Sequence, residues 1–221
     1  MLKCVAQILC IFILLAPSFD IAAWAQAAQA PMPSKSFVVS EPRSVDPIQV
    51  LGFRFNDKMV VPSTKFASAD ESWLRDSVMV IRNVSDRKAV AVQLFVYFPE
   101  ADDGKSMVGD RIFLGNPPPS GMYTREGKKL DIPQNPEIDL LPGQTQDIPL
   151  GIHFAQYSKL VKQRKEMQGI NTCMVQFLNV YFADGTKWSP NYFGRPDPNH
   201  PGVYIQMTPE EFYQQSLSPA N

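Results

Sequence analysis

The chain has 221 residues, 44% of them apolar and 11% aromatic, with 21 basic and 22 acidic side chains for a formal net charge of -1. That balance leaves no global field to attract nucleic acid, a membrane surface or a strongly charged substrate, and the composition is that of a globular domain. Three cysteines, Cys4, Cys10 and Cys173, exclude a disulfide-dense scaffold.

Met1 and Lys3 open a short positive start, an apolar run follows from Val5 to Pro17 with only Gln7 breaking it, and Ala22-Ala23-Trp24-Ala25 closes it. These are the three regions of a cleavable signal peptide, with cleavage expected after Ala25. The apolar run is shorter than the roughly 20 residues a membrane-spanning helix needs. The reading is therefore a periplasmic or secreted protein with no membrane span once 1–25 is removed. Cleavage takes Cys4 and Cys10 away, so the remaining Cys173 has no intramolecular partner and the fold must hold by packing. Residues 26–47 carry Pro31, Pro33, Pro42 and Pro47 without any period, which predicts a flexible or extended leader.

One domain, 48–217, follows. Its strand-like stretches are 48–55, 77–83, 88–98, 146–154, 172–183 and 202–207, rich in β-branched and aromatic residues and bounded by Gly, Pro, Asn or Asp. The stretch from Ala89 to Phe98 is apolar on both faces, so a central, covered strand is expected. In 175–182, Leu178, Val180 and Phe182 form the expected core side. Asn83-Val84-Ser85-Asp86 and Leu141-Pro142-Gly143-Gln144 read as turns, and Asp184-Gly185 as a type I′ hairpin returning Thr186-Lys187-Trp188 against Val180-Tyr181-Phe182. Residues 99–140 lapse into Gly, Pro and charge around Arg111-Ile112-Phe113-Leu114 and read as a long insertion. Two helices are expected, 155–168 from its spacing and 208–217 from the capping box Thr208-Pro209-Glu210-Glu211.

Val80-Ile81-Arg82-Asn83-Val84-Ser85-Asp86-Arg87-Lys88-Ala89-Val90, followed by Leu94-Phe95-Val96-Tyr97-Phe98, resembles the strand–turn–strand of bacterial extracellular immunoglobulin-like domains. Leu141-Pro142-Gly143 resembles a turn those domains often carry. The stretch from Val180 to Trp188 resembles the closing hairpin of uncharacterised secreted bacterial proteins. The likeness spans about half of the mature chain. It implies a mainly β, immunoglobulin-like antiparallel β-sandwich with one or two short helices, and it implies no activity.

Reactive chemistry is sparse. His153 and His200 are the only histidines and neither sits in a metal-ligand pattern; no G-x-S-x-G elbow, P-loop or dinucleotide glycine fingerprint occurs. Cys173 lies in a strand-like run with Met174 and Val175, where an inert buried thiol is expected. Asp184, Asp197 and Asn199 lack the spacing of a Ca²⁺ loop, so no metal or cofactor is expected. The leading expectation is a non-enzymatic module offering a binding or structural surface to an envelope protein or glycan. The alternative is a carbohydrate- or peptide-binding module using the aromatic loop 188–204, with Trp188, Tyr192, Arg195, Asp197 and Tyr204 as ligand-binding residues.

Overall fold

A computed structural model describes residues 32–40, 45–105, 107–118, 128–129 and 137–214, so the expected signal peptide and its cleavage point lie outside the described residues. The strands in chain order are β1 (Ser34–Val39), β2 (Ile48–Phe55), β3 (Lys58–Val60), β4 (Lys65–Ala67), β5 (Val78–Asn83) and β6 (Ala89–Tyr97). They continue as β7 (Gly109–Gly115), β8 (Thr145–Pro149), β9 (Thr172–Phe182), β10 (Lys187–Ser189), β11 (Tyr192–Pro196) and β12 (Tyr204–Met207). Among the described residues, helix is confined to α1 (Phe154–Lys162), α2 (Pro209–Gln214) and short 3₁₀ turns. The protein is thus mainly β, with few short helices.

The strands form two sheets. One runs β3-β2-β5-β8; the other runs β12-β11-β10-β9-β1-β4, with β6 on β9 and β7 on β6. β9 organises the larger sheet. Along one edge it pairs antiparallel with β6, while its other edge is shared between β1, parallel at Thr172–Val175, and β10, antiparallel at Val180 and Tyr181. The inner faces of the two sheets meet where Phe37 of β1 stacks on Phe53 of β2, ring centroids 4.1 Å apart. Trp73 and Phe66 extend this aromatic core.

Within 26–47, read as a flexible or extended leader, Ser34–Val39 takes the extended form and is a strand, β1. Pro33 and Pro42 flank it rather than interrupt it, so its backbone donors stay free for the ladder. Phe37 is fully buried. Lys35, also buried, donates to the carbonyl of Ile170 (2.7 Å) and to Oδ1 of Asn171 (3.2 Å). Burial lowers the Lys35 pKa, while Glu100, Glu71 and Asp70 hold it up by their charge.

A bulge corrects the inward face of β9. Gln93 faces Asn179 while Leu94 faces Phe177, so Leu178 is an extra residue and the side-chain phase inverts across it. Cys173, Val175 and Phe177 are buried before the bulge and Val180 and Phe182 after it, leaving Leu178 half-buried instead of in the core. β6 is central, paired with β7 and β9, but its second face is only partly covered: Val92, Leu94 and Val96 are fully buried, Phe95 and Tyr97 half-buried.

The Asp184-Gly185 connection is a hairpin of a different kind from the one expected. Gly185 N–H donates to the Phe182 carbonyl (3.0 Å) and Phe182 N–H to the Thr186 carbonyl (3.0 Å). Of the two residues only Gly185 has positive φ, at 87°. That is a three-residue loop with glycine in the left-handed bulge position rather than type I′. Asp184 completes it by accepting from the Thr186 backbone N–H and hydroxyl. A two-residue loop with positive φ at both positions occurs instead at Asn56-Asp57, between β2 and β3.

Leu141-Pro142-Gly143-Gln144 forms as expected, with Gln144 N–H on the Leu141 carbonyl (3.1 Å) and Gly143 at φ 77°. The 99–140 stretch supplies β7, which widens the large sheet, while 119–127 and 130–136 fall outside the described residues. The strand expected over 146–154 ends at Pro149, where a 3₁₀ turn leads into α1. α1 itself ends at Lys162 rather than 168. α2 carries the reciprocal capping box: Thr208 N–H donates to Glu211 Oε2 (2.8 Å) and Glu211 N–H to Thr208 Oγ1 (3.1 Å).

Candidate functional site

Strand alternation divides the five side chains expected to share one surface. In β10, Lys187 and Trp188 are neighbours and so point to opposite faces of the sheet. Trp188 turns inward and is buried. Lys187 turns outward between two rings, its Nζ 4.6 Å from the centroid of Tyr204 and 5.7 Å from that of Tyr192. Tyr192 donates its hydroxyl to the Tyr204 carbonyl (2.9 Å), fixing the pair. Gly194 makes room, since a Cβ there would lie 2.7 Å from Cε1 of Tyr192. The two tyrosines therefore enclose the protein's own ammonium group, whose pKa burial lowers, and the place a ligand would stack is taken. Arg195 is exposed on β11. Asp197 serves a turn, accepting from Asn199 N–H (2.8 Å) and meeting His200 Nδ1 (2.9 Å). Those contacts, the Asn199 N–H first, hold the Asp197 carboxyl below the usual carboxylate range.

The inward course of Trp188 leads to an opening between the sheets. A pocket of about 320 Å³ lies along β9 where neither β1 nor β10 reaches. Gln176 and Phe177 of β9 line one side of it, Val39 and Ser40 close one end, and Trp188 with Pro190 closes the other. The opposing side comes from the smaller sheet, as Ile48, Gln49 and Val50 of β2, with Asp46 before it and the Pro62-Ser63 turn after β3. That turn is held to β1 by the Ser63 N–H, which donates to the Phe37 carbonyl at 2.6 Å. The lining mixes aliphatic and aromatic surface with hydroxyls, amides and one carboxylate, and the described lining residues include no Lys, Arg, His or Cys. Of the residues named from the sequence, only Trp188 belongs to it. Apart from Pro190 beside it, the rest were hidden because they come from four separated segments, three of which are polar or proline-bearing and carry no motif.

A second polar region surrounds α1. Tyr157 is fully buried, and Glu100, Asp110, His153 and Tyr157 each carry a buried atom without a hydrogen-bond partner: Oε2, Oδ2, Nε2 and the hydroxyl. Burial raises the pKa of Asp110 and lowers that of His153, and their mutual attraction opposes both shifts. Cys173 is completely buried, and burial, followed by the Glu100 charge, pushes its thiol far up, so the thiolate a nucleophile needs is not formed at neutral pH. No group of three potential metal-ligating side chains occurs among the described residues. Likewise no described helix is long and apolar enough to cross a membrane.

Comparison with known proteins sets nothing beside this chain: no family model, no curated protein and no solved structure matches it.

Proposed function

We propose that this protein is an exported, non-enzymatic module with an immunoglobulin-like β-sandwich fold, which holds a ligand in the pocket between β9 and β2. The observation that carries the reading is the pocket itself: at about 320 Å³ it reaches the lower end of the size range of ligand sites, with a mostly apolar lining and a few polar groups to fix orientation. Support for a non-catalytic role comes from the chemistry of the lining, which offers hydroxyls, amides and one carboxylate but no nucleophile beside a base. The fold reading draws on the two facing sheets and the Leu141-Pro142-Gly143 turn. Export draws on the residues before Gln26 and predicts that the exported protein starts there; mass spectrometry finding an intact Met1 end would remove it.

Neutral aromatic and amide fragments, titrated into the isotope-labelled protein, test the pocket. They should shift the Phe177 amide and the Trp188 indole signals in a saturable way, and Ser40→Trp, placed at the exposed rim, should abolish the shifts. Unmoved signals, or equal shifts in Ser40→Trp, would refute the reading.

A further inference from the structure

We infer that the side of α1 facing Arg75 is a second binding site, for an acidic carbohydrate, a sugar chain that carries carboxylates among its hydroxyls. Ala155, Ser158, Lys159 and Lys162 recur at i, i+3, i+4 and i+7 and so share one side of α1. With Phe154, Gln163 and Arg75 they line a groove of about 590 Å³, within the size range of ligand sites. Three exposed cations meet there, Arg75 from the loop before β5 and Lys159 and Lys162 from the helix. None of the three forms an ion pair with a described residue, whereas Arg164, beyond the helix end, is paired with Asp103. Like charges gathered on one groove and left unneutralised raise the local concentration of an anion.

Arg75 is held in place by its surroundings. Its N–H donates to the Ser72 carbonyl (2.6 Å), and its backbone lies so close to Gly151 that a Cβ there would collide with the Arg75 carbonyl oxygen. Its guanidinium lies over the Phe154 ring, 4.9 Å from the centroid, a support that leaves the planar N–H fork to grip a carboxylate by two parallel bonds. What adjoins the cations selects the ligand. A neighbouring groove shares Arg75, Phe154, Ser158 and Lys162 and adds the carboxylates of Glu71 and Glu166. A bare polyanion, or an anionic membrane laid flat, would press its charge against those carboxylates as well as on the cations. A uronic-acid chain carries one carboxylate per ring with hydroxyls around it. It sets the carboxylate on Arg75, Lys159 and Lys162 while its hydroxyls donate to Glu71 and Glu166. The floor between the cations is Ala155 and Ser158, two small side chains that leave breadth for a sugar ring.

The experiment titrates the full exported protein, isotope-labelled, with a pool of uronate trimers built from galacturonate, glucuronate or mannuronate. Companion titrations use the same trimers as methyl esters, inorganic tripolyphosphate, and an acetylated, amidated Glu-Ser-Glu peptide. Expected are saturable shifts of the Arg75 amide and of the α1 amides with the uronates, binding about tenfold weaker for the esters, and weaker binding of tripolyphosphate and peptide than of the uronates. Arg75→Gln, and Lys159→Gln combined with Lys162→Gln, should each weaken uronate binding about tenfold, while Lys58→Gln on β3 leaves it unchanged. Failure of every uronate to bind, or equal binding of acids and esters, overturns the anion site. Tripolyphosphate or the peptide binding as tightly as the uronates overturns the carbohydrate claim, and uronate affinity that Lys58→Gln lowers as much as the groove variants do overturns the location. The pocket between β9 and β2 is lined by other residues, so its reading stands or falls separately.

Discussion

Replacing Arg87 by methionine should destabilise the domain more than any exposed ion pair does. The Arg87 side chain is only 6% exposed, and four contacts meet on it: the Asp184 carboxylate, the Asp86 carboxylate 4.0 Å from Nε, the Phe212 carbonyl of α2, and the Phe212 ring, 4.5 Å from its centroid. Methionine keeps the packing and loses the rest. The buried carbonyl left without its donor costs about 1–3 kcal/mol, and the lost cation–π contact about 1–2 kcal/mol. Asp184 is 44% exposed and rehydrates, so the large penalty of an orphaned buried charge does not apply. Against this, Arg87 Nε is buried without a hydrogen bond, and its removal returns about 1–2 kcal/mol. The net is about 2 kcal/mol, or a fall in melting temperature of about 4–8 °C for a domain of this size. Urea and thermal unfolding measure it, with Arg54→Met in the exposed Arg54–Asp147 pair as a control expected to cost below about 1 kcal/mol. If Arg87→Met were no more destabilising than Arg54→Met, the clamp between the Asp184 turn and α2 would carry no weight.

Gly185→Val should destabilise by about 1–3 kcal/mol, because φ is 87° and the new Cβ would stand 3.1 Å from Cγ of Pro196; a parent-like urea midpoint would count against it. Asp110→Asn should stabilise at neutral pH and not at acid pH. The folded pKa of Asp110 lies above its unfolded value, so its contribution is intact below the unfolded value and is lost as pH rises through the folded one. Unfolding midpoints at acid and neutral pH, compared with the parent, test the sign, and a gain confined to acid pH would reverse the argument. Cys173 should react with a thiol reagent only on unfolding, and Cys173→Ser should cost about 1 kcal/mol or more; rapid labelling of the native protein contradicts both the burial and the raised thiol pKa.

Long apolar runs were legible. β2, β5, β6 and β9 lie where alternation and β-branched residues put them, and the capping box of α2 and the Leu141-Pro142-Gly143 turn declare themselves through local hydrogen bonding. β1 was not, since half of its message is polar. Lys35 reads as a surface residue until the carbonyl of Ile170, 135 positions away, is there to receive it. The inversion at Leu178 was equally hidden, because a bulge is a mismatch between two strands and one strand alone does not record it. The binding residues suffered from a related limit. An aromatic loop suggests an outward platform, but which ring faces out depends on the parity of β10, and parity sent Trp188 inward while filling the space between Tyr192 and Tyr204 with Lys187.

The parallel pairing of β1 with β9 also orders events in time. Ser36 sits opposite Thr172 and Val39 opposite Val175, so an early strand of the chain has its neighbour near the far end. A chain emerging from its amino terminus holds Lys35 without its carbonyl partner, and β1 without β9, until Ile170 and the strand after it have emerged. The Phe37–Phe53 stack can form from nearby sequence, but the large sheet closes late, at the entropic cost of a long loop. Late closure places completion of the large sheet in the last quarter of the chain, once Thr172–Val175 are in place.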